Sequence, residues 1–141
     1  MQVDFIELKL IEKIGNVLSY AVSIKKYNRY ELIEKWLGSE TYLLTVEFDV
    51  SLCSQAKTHI LRTFERECGN NLPTIDENSP LYADDVYWFG YVMAYWFFTD
   101  GTTGNEILQK YNVRKVLDEF DVLHTLSVKA SIEKIKEDDL K

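Results

Sequence analysis

The chain is short of the residues that staple, break or catalyse in small proteins. Of its 141 residues only two are cysteine, two proline and two histidine. On one helix, where the pattern below places them, Cys53 and Cys68 lie about 22 Å apart, while a disulfide tolerates about 7 Å. They also lack the paired spacing of a zinc site, so buried free thiols are expected, with no metal. Both prolines, Pro73 and Pro80, fall in the polar stretch 69–80, which marks one internal loop and leaves the rest uninterrupted. Basic side chains are outnumbered, sixteen Lys and Arg against twenty-three Asp and Glu, for a formal charge of −7. That balance disfavours nucleic acid or an anionic membrane as the main partner. The longest apolar run, residues 86–98, falls short of the roughly 20 residues of a membrane span. Asp4 and Glu7 interrupt the N-terminal apolar residues, and no basic region or small-residue cleavage site is seen there. No signal peptide is expected, and the reading is cytoplasmic.

What the chain has is apolar and aromatic surface to bury. It is 46% hydrophobic and 28% charged, with three Trp, nine Tyr and seven Phe. A chain of this length buries about two-thirds of its surface on folding, enough for one core. The expected fold is mainly α: one domain, residues 1–141, built as a bundle of about six helices around the loop at 69–80.

Apolar residues at three- and four-residue steps (Val3, Ile6, Leu10, Ile14, Val17, Leu18, Ala21, Ile24) predict a helix over 4–25. A second starts at Asn28, with Glu31 placed as in a capping box, and stops at Gly38 in a left-handed turn. Residues 42–50 alternate apolar and polar like a strand, yet no second alternating segment exists to pair with it. The segment is therefore irregular or helical, or it pairs across an interface. Further helices are expected over 52–67 with Ser51 as cap, over 83–98, over 103–111 with a Thr103–Glu106 capping box, and over 113–124. A last one follows Ser127, with a frayed tail at 137–141.

Eight of the aromatics fall within residues 86–98. On a helix this segment is apolar all round, as for a helix buried on several sides. Gly90 and Ala94 would let another helix approach closely. Tyr87, Tyr91, Tyr95 and Phe98, with Trp88 beside them, form one stripe. Buried tyrosine hydroxyls need partners. The stripe is thus either part of the core or a half-exposed face that another protein covers.

Catalytic patterns are scarce: no phosphate loop, dinucleotide fingerprint, HExxH or GxSxG is present. Gly101-Thr102-Thr103-Gly104 reads as an interhelical turn. His59 points away from both cysteines on a shared helix and joins Gln55, Arg62 and Arg66 on a solvated face. His124 ends a helix, where an imidazolium suits the dipole, with Asp121 one turn earlier as its acceptor. An enzyme with a site at Asp121 and His124 is the weakest of the readings, and no cofactor is expected.

Phe120-Asp121-Val122-Leu123-His124-Thr125 resembles the aromatic-Asp-x-Leu-His-Thr box that ends a class of small uncharacterised bacterial proteins. Tyr87 to Trp96, with Gly90, Tyr91 and Tyr95, resembles their Tyr-x-x-Gly-Tyr…Tyr-Trp helix, and the Gly101 to Ile107 turn fits as well. Phe5-Ile6-Glu7-Leu8-Lys9 and Ser39-Glu40-Thr41-Tyr42 are similar to companion proteins of the same gene neighbourhoods. Such genes lie in toxin–antitoxin or defence operons beside a toxin that resembles an ADP-ribosyltransferase. The resemblance implies an antitoxin- or immunity-like protein that neutralises a toxin by binding it. Relatives often carry Arg and His around the Tyr-Trp pair, where this chain has Ala94 and Phe97, which favours binding over catalysis at this helix. The implied partner-binding residues are Tyr87, Trp88, Tyr91, Tyr95 and Trp96, and the box residues are Asp121, Leu123, His124 and Thr125. The alternative is a homodimeric structural or phage-related accessory protein without catalytic activity.

Overall fold

In the computed structural model, which describes residues 2–75 and 83–138, ten helices and no sheet are present among the described residues. The protein is mainly α, as the periodicity requires. The helices are α1 (Phe5–Ser23), α2 (Arg29–Leu37), α3 (Glu40–Val46), α4 (Val50–Cys53), α5 (Lys57–Glu67), α6 (Asp84–Asp100), α7 (Gly104–Lys110), α8 (Val113–Asp118), α9 (Phe120–Leu123) and α10 (Val128–Asp138).

The fold is organised on the α1–α6 pair. α1 starts at a complete capping box, Asp4 accepting from the Glu7 N–H while Glu7 accepts from Asp4. Its buried face is Leu10, Ile11, Ile14, Gly15, Val17, Leu18, Ala21 and Val22. Ile6 and Ile24, placed on that face by spacing, lie beyond its ends and are exposed. The two helices touch where glycine meets glycine. A Cβ on Gly90 would sit 2.8 Å from a Leu18 methyl, and one on Gly15 would sit 2.9 Å from the Tyr87 ring. The close approach expected at Gly90 is therefore to α1.

The segment 42–50 is not a strand. Thr41, Tyr42, Thr45 and Val46 are buried, a helical spacing, while Val50 is 75% exposed. Ser39 caps α3 through the Tyr42 N–H. The Thr45 hydroxyl donates to the Thr41 carbonyl at 2.6 Å, which lets a polar residue enter the core with its hydrogen bond made. The α3 N-terminus is also closed from α5: Glu67 accepts from the N–H groups of Glu40 and Thr41 and from the Thr41 hydroxyl.

Two expected helices are broken. The one over 52–67 divides into α4, capped by Asp49 and not Ser51, and α5, whose N-cap position, Ala56, supplies no side-chain cap. Lys13 of α1 donates to the carbonyls of Cys53 and Gln55, 2.9 Å each, and satisfies the groups freed by the break. Cys53 and Cys68 thus belong to different elements, and both are free and half-buried. The helix over 113–124 divides at Glu119 into α8 and α9. Gly38 ends α2 at φ −85°, not in a left-handed turn; Gly101 does take that role after α6, at φ 81°. The Thr103–Glu106 capping box of α7 is present.

The loop at 69–80 is described as far as residue 75. Its first part docks on the α1–α2 turn: Asn28 donates its N–H to the Pro73 carbonyl and Ile75 donates to Lys26. The rest of that loop, and residues 139–141 of the tail, lie outside the described residues. One contiguous apolar cluster draws Ile11, Ile14, Trp36 and Phe64 from before the loop and Phe89, Val92, Trp96 and Ile135 from after it.

Candidate functional site

The buried residues of α6 are Val86, Phe89, Gly90, Val92, Met93, Ala94, Trp96 and Phe98. That leaves Tyr87, Trp88, Tyr91, Tyr95 and Phe97 half-buried. One residue expected at a partner's surface, Trp96, sits inside instead, and so does Phe98 of the stripe. Trp96 is 2% exposed, its ring on Tyr111 and its Nε1 donating to Asp100 at 3.2 Å. Phe98, placed on the tyrosine stripe, is buried with its ring on Phe48. The reason is angular: Trp96 and Phe98 point toward α7 and the α3–α4 turn, whereas Tyr87, Tyr91 and Tyr95 follow each other along one flank.

Tyr87 and Tyr91 have ring centroids 6.2 Å apart. Burial pushes both hydroxyls above their ordinary range, and the nearby Glu12 carboxylate adds to it. Both stay protonated at neutral pH, so both are hydrogen-bond donors. Neither they nor Tyr95 bond to another described residue. Tyr95 opens onto a cleft of about 210 Å³ between α6 and α10, lined also by Thr99, Asp100, Lys129, Ile132, Glu133 and Lys136. Within it Lys136 reaches Asp100 at 3.5 Å and lies 5.5 Å over the Trp96 ring. Burial raises the Asp100 carboxyl, but the Thr102 hydroxyl and N–H and the Lys136 charge bring it below its usual range.

The box at 120–125 comes to the same surface. Trp88 meets Phe120 edge to face at 5.8 Å, and Phe120 stacks on His124 at 4.3 Å. The result is a ladder from α6 across α9. His124 Nδ1 lies 2.6 Å from the Phe120 carbonyl oxygen. A carbonyl only accepts, so Nδ1 carries the proton and Nε2 faces solvent. The acceptor expected for His124, Asp121, makes no hydrogen bond or ion pair with any described residue. Leu123 is core. The turn into α10 is held by the Thr125 hydroxyl on Val122 and by the buried Ser131 hydroxyl on Leu123, 2.8 Å, not by Asp121.

Phe120 is the participant that residue-level reading passed over, although the i, i+4 spacing of Phe120 and His124 already places their rings on one helical face. Its contact with Trp88 joins segments far apart in sequence, and no local pattern encodes that. His59 is half-buried on α5 and Arg62 and Arg66 are exposed, but Gln55 precedes that helix, so the four do not form one helical face. Burial and the Glu67 charge push the Cys68 thiol up, which keeps it protonated. Among the described residues no three His, Cys, Asp or Glu side chains converge to hold a metal ion. No described helix is long and apolar enough to cross a membrane.

Compared with protein families, with curated proteins and with solved structures, the chain matches none.

Proposed function

We propose that this protein is a cytoplasmic antitoxin- or immunity-like protein that neutralises a toxin enzyme by direct binding and performs no catalysis itself. The observation that carries the reading is the flank of α6. Three half-buried tyrosines have no partner for their hydroxyls among the described residues. They run into the Trp88–Phe120–His124 ladder and so extend one aromatic surface across two helices. Amphipathic rings with few rotatable bonds are what protein interfaces concentrate at their centres. Co-expression with the product of the adjacent gene is expected to yield a stable complex. Tyr91→Ala with Tyr95→Asp should disrupt it; an intact complex in that variant removes the tyrosine face from the account.

A second reading, a homodimeric structural or accessory protein, is favoured by Phe5, Ile6 and Val50, which are 71%, 68% and 75% exposed. Light scattering separates the two: a monomer at micromolar concentration counts against the homodimer.

A further inference from the structure

The large hydrophobic side chains that stay exposed are not scattered evenly. Phe5, Ile6, Phe48 and Val50 are 71%, 68%, 39% and 75% exposed. They meet at a groove of about 280 Å³ between the start of α1 and the α3–α4 turn, lined by Ile6, Leu10, Phe48 and Cys53 with Lys9 and Lys13. Phe5 and Val50 border it. Lys9 lies 5.3 Å over the Phe5 ring, and Ser54, also in the lining, donates its hydroxyl to the Val50 carbonyl at 2.6 Å. Single exposed apolar residues are ordinary, but a contiguous patch marks an interaction surface. Phe48 adds a second sign. It sits at φ 63°, where a side chain this bulky is rarely found, and its contact with Phe98 leaves the ring partly exposed. Backbone strain of this kind gathers at functional surfaces.

The charges around the patch say what fits it. Asp4 and Glu7 flank Phe5-Ile6, and Glu47 and Asp49 flank Phe48. None of these four has an ion pair among the described residues. The lysines of the groove are committed: Lys9 reaches Glu12 at 3.5 Å, and Lys13 is held by the Cys53 and Gln55 carbonyls at 2.9 Å each. The groove is thus apolar with an acidic border, the complement of an apolar strip with a basic border. A second copy of the chain fits poorly, because a two-fold contact here sets like carboxylates against each other. No sheet edge exists among the described residues for a strand to join, and an apolar groove between helices takes the apolar face of a helix.

We propose that this groove docks a basic amphipathic helix of a protein partner. The apolar face of that helix lies on Ile6, Phe48 and Val50, with its lysines or arginines beside the flanking carboxylates. None of the α6 tyrosines lines the groove, so this surface is distinct from the α6 flank and stands independently of the function proposed for that flank.

The test is an NMR titration of the intact protein with a designed helical peptide, leucine on one face and lysine on the other. A scrambled peptide of the same composition and a leucine–glutamate peptide of the same pattern serve as comparators. Saturable shifts are expected at the Ile6 methyl groups, the Phe48 ring and the amides of 47–54 with the leucine–lysine peptide, and none with the other two. Ile6→Gln with Val50→Gln, both exposed positions, leaves the net charge unchanged and should weaken the Kd about tenfold. Glu47→Gln should weaken it about twofold, and added salt should weaken it further. An equal response to the scrambled or leucine–glutamate peptide, shifts centred elsewhere, wild-type affinity in Ile6→Gln/Val50→Gln, or self-association of the free protein through this groove overturns the proposal. The titration needs no native partner, so its result is independent of whether the complex with the neighbouring gene product forms.

Discussion

Gly104 opens α7 with its Cα against the end of α2, and a Cβ there would lie 2.0 Å from the Leu37 carbonyl oxygen. Neither backbone can yield without moving a helix. Gly104→Ala should therefore cost about 3 kcal/mol in a urea unfolding series, near the top of the usual range for overpacking. Gly101 serves a different need. It has nothing within 4 Å but φ of 81°, so Gly101→Ala should cost only about 1 kcal/mol. The spacing of Gly101 and Gly104 announces a turn; which of the two is held by a neighbour is visible only in three dimensions. Tyr42 runs against intuition in the opposite way. It is fully buried beside Trp36, and no donor or acceptor among the described residues reaches its hydroxyl. Tyr42→Phe should stabilise the protein by about 1 kcal/mol, because an unmade hydrogen bond is removed with the group that lacks it. A loss of stability in that variant contradicts the account of this site.

The element that sequence pattern misdirects is α3. Tyr42, Leu44, Val46, Phe48 and Val50 alternate, but the residues the core takes are Thr41, Tyr42, Thr45 and Val46. Two threonines hid the helical period because a hydrophobicity pattern scores them as polar; the back-bond of Thr45 and the bond of the Thr41 hydroxyl to Glu67 let them be buried. Some caps were legible. Asn28 and Thr103–Glu106 work as side-chain caps at the helix starts they signal, whereas Ser51 gives way to Asp49. The α3 cap from Glu67 was not legible, since its donor and acceptor lie in different elements. Burial alone would raise the Glu67 carboxyl; the Thr41 hydroxyl and the N–H groups of Glu40 and Thr41 outweigh it and hold the carboxyl below its ordinary 4.5. Its folded value is depressed, so its contribution is present above pH 4.5 and is lost as pH falls through the lower folded value. Glu67→Gln should cost about 1 kcal/mol at neutral pH, and the gap to the wild type should close in acid denaturation curves.

For the whole molecule, the aromatic excess has two destinations. One part is core: Trp36, Tyr42, Phe64, Phe89, Trp96 and Phe98 are buried in one cluster. Another is the flank of α6, where Tyr87, Trp88, Tyr91 and Tyr95 are half-buried and Trp88 meets Phe120. The sequence marks both segments as unusual, yet their adjacency depends on α9 turning back at Glu119, a break with no Gly or Pro to signal it. Five of the tyrosines, Tyr27, Tyr30, Tyr42, Tyr87 and Tyr91, have hydroxyls raised above the ordinary 10.0, Tyr27 to about 12 through burial and its bond to Glu65. A raised folded value supports stability below pH 10 that is lost as pH climbs. The tyrosinate absorbance of these five should therefore rise late, together with loss of helical circular dichroism.

The central claim is that the α6 flank is the binding face. Isothermal titration of the purified neighbouring gene product into this protein tests it most directly, with wild type and Tyr91→Ala/Tyr95→Asp compared at equal helical content. The account predicts tight one-to-one binding by the wild type and a Kd weakened roughly a hundredfold in the variant, as for residues central to an interface. Equal affinity of the two proteins, or no heat from the wild type, contradicts it.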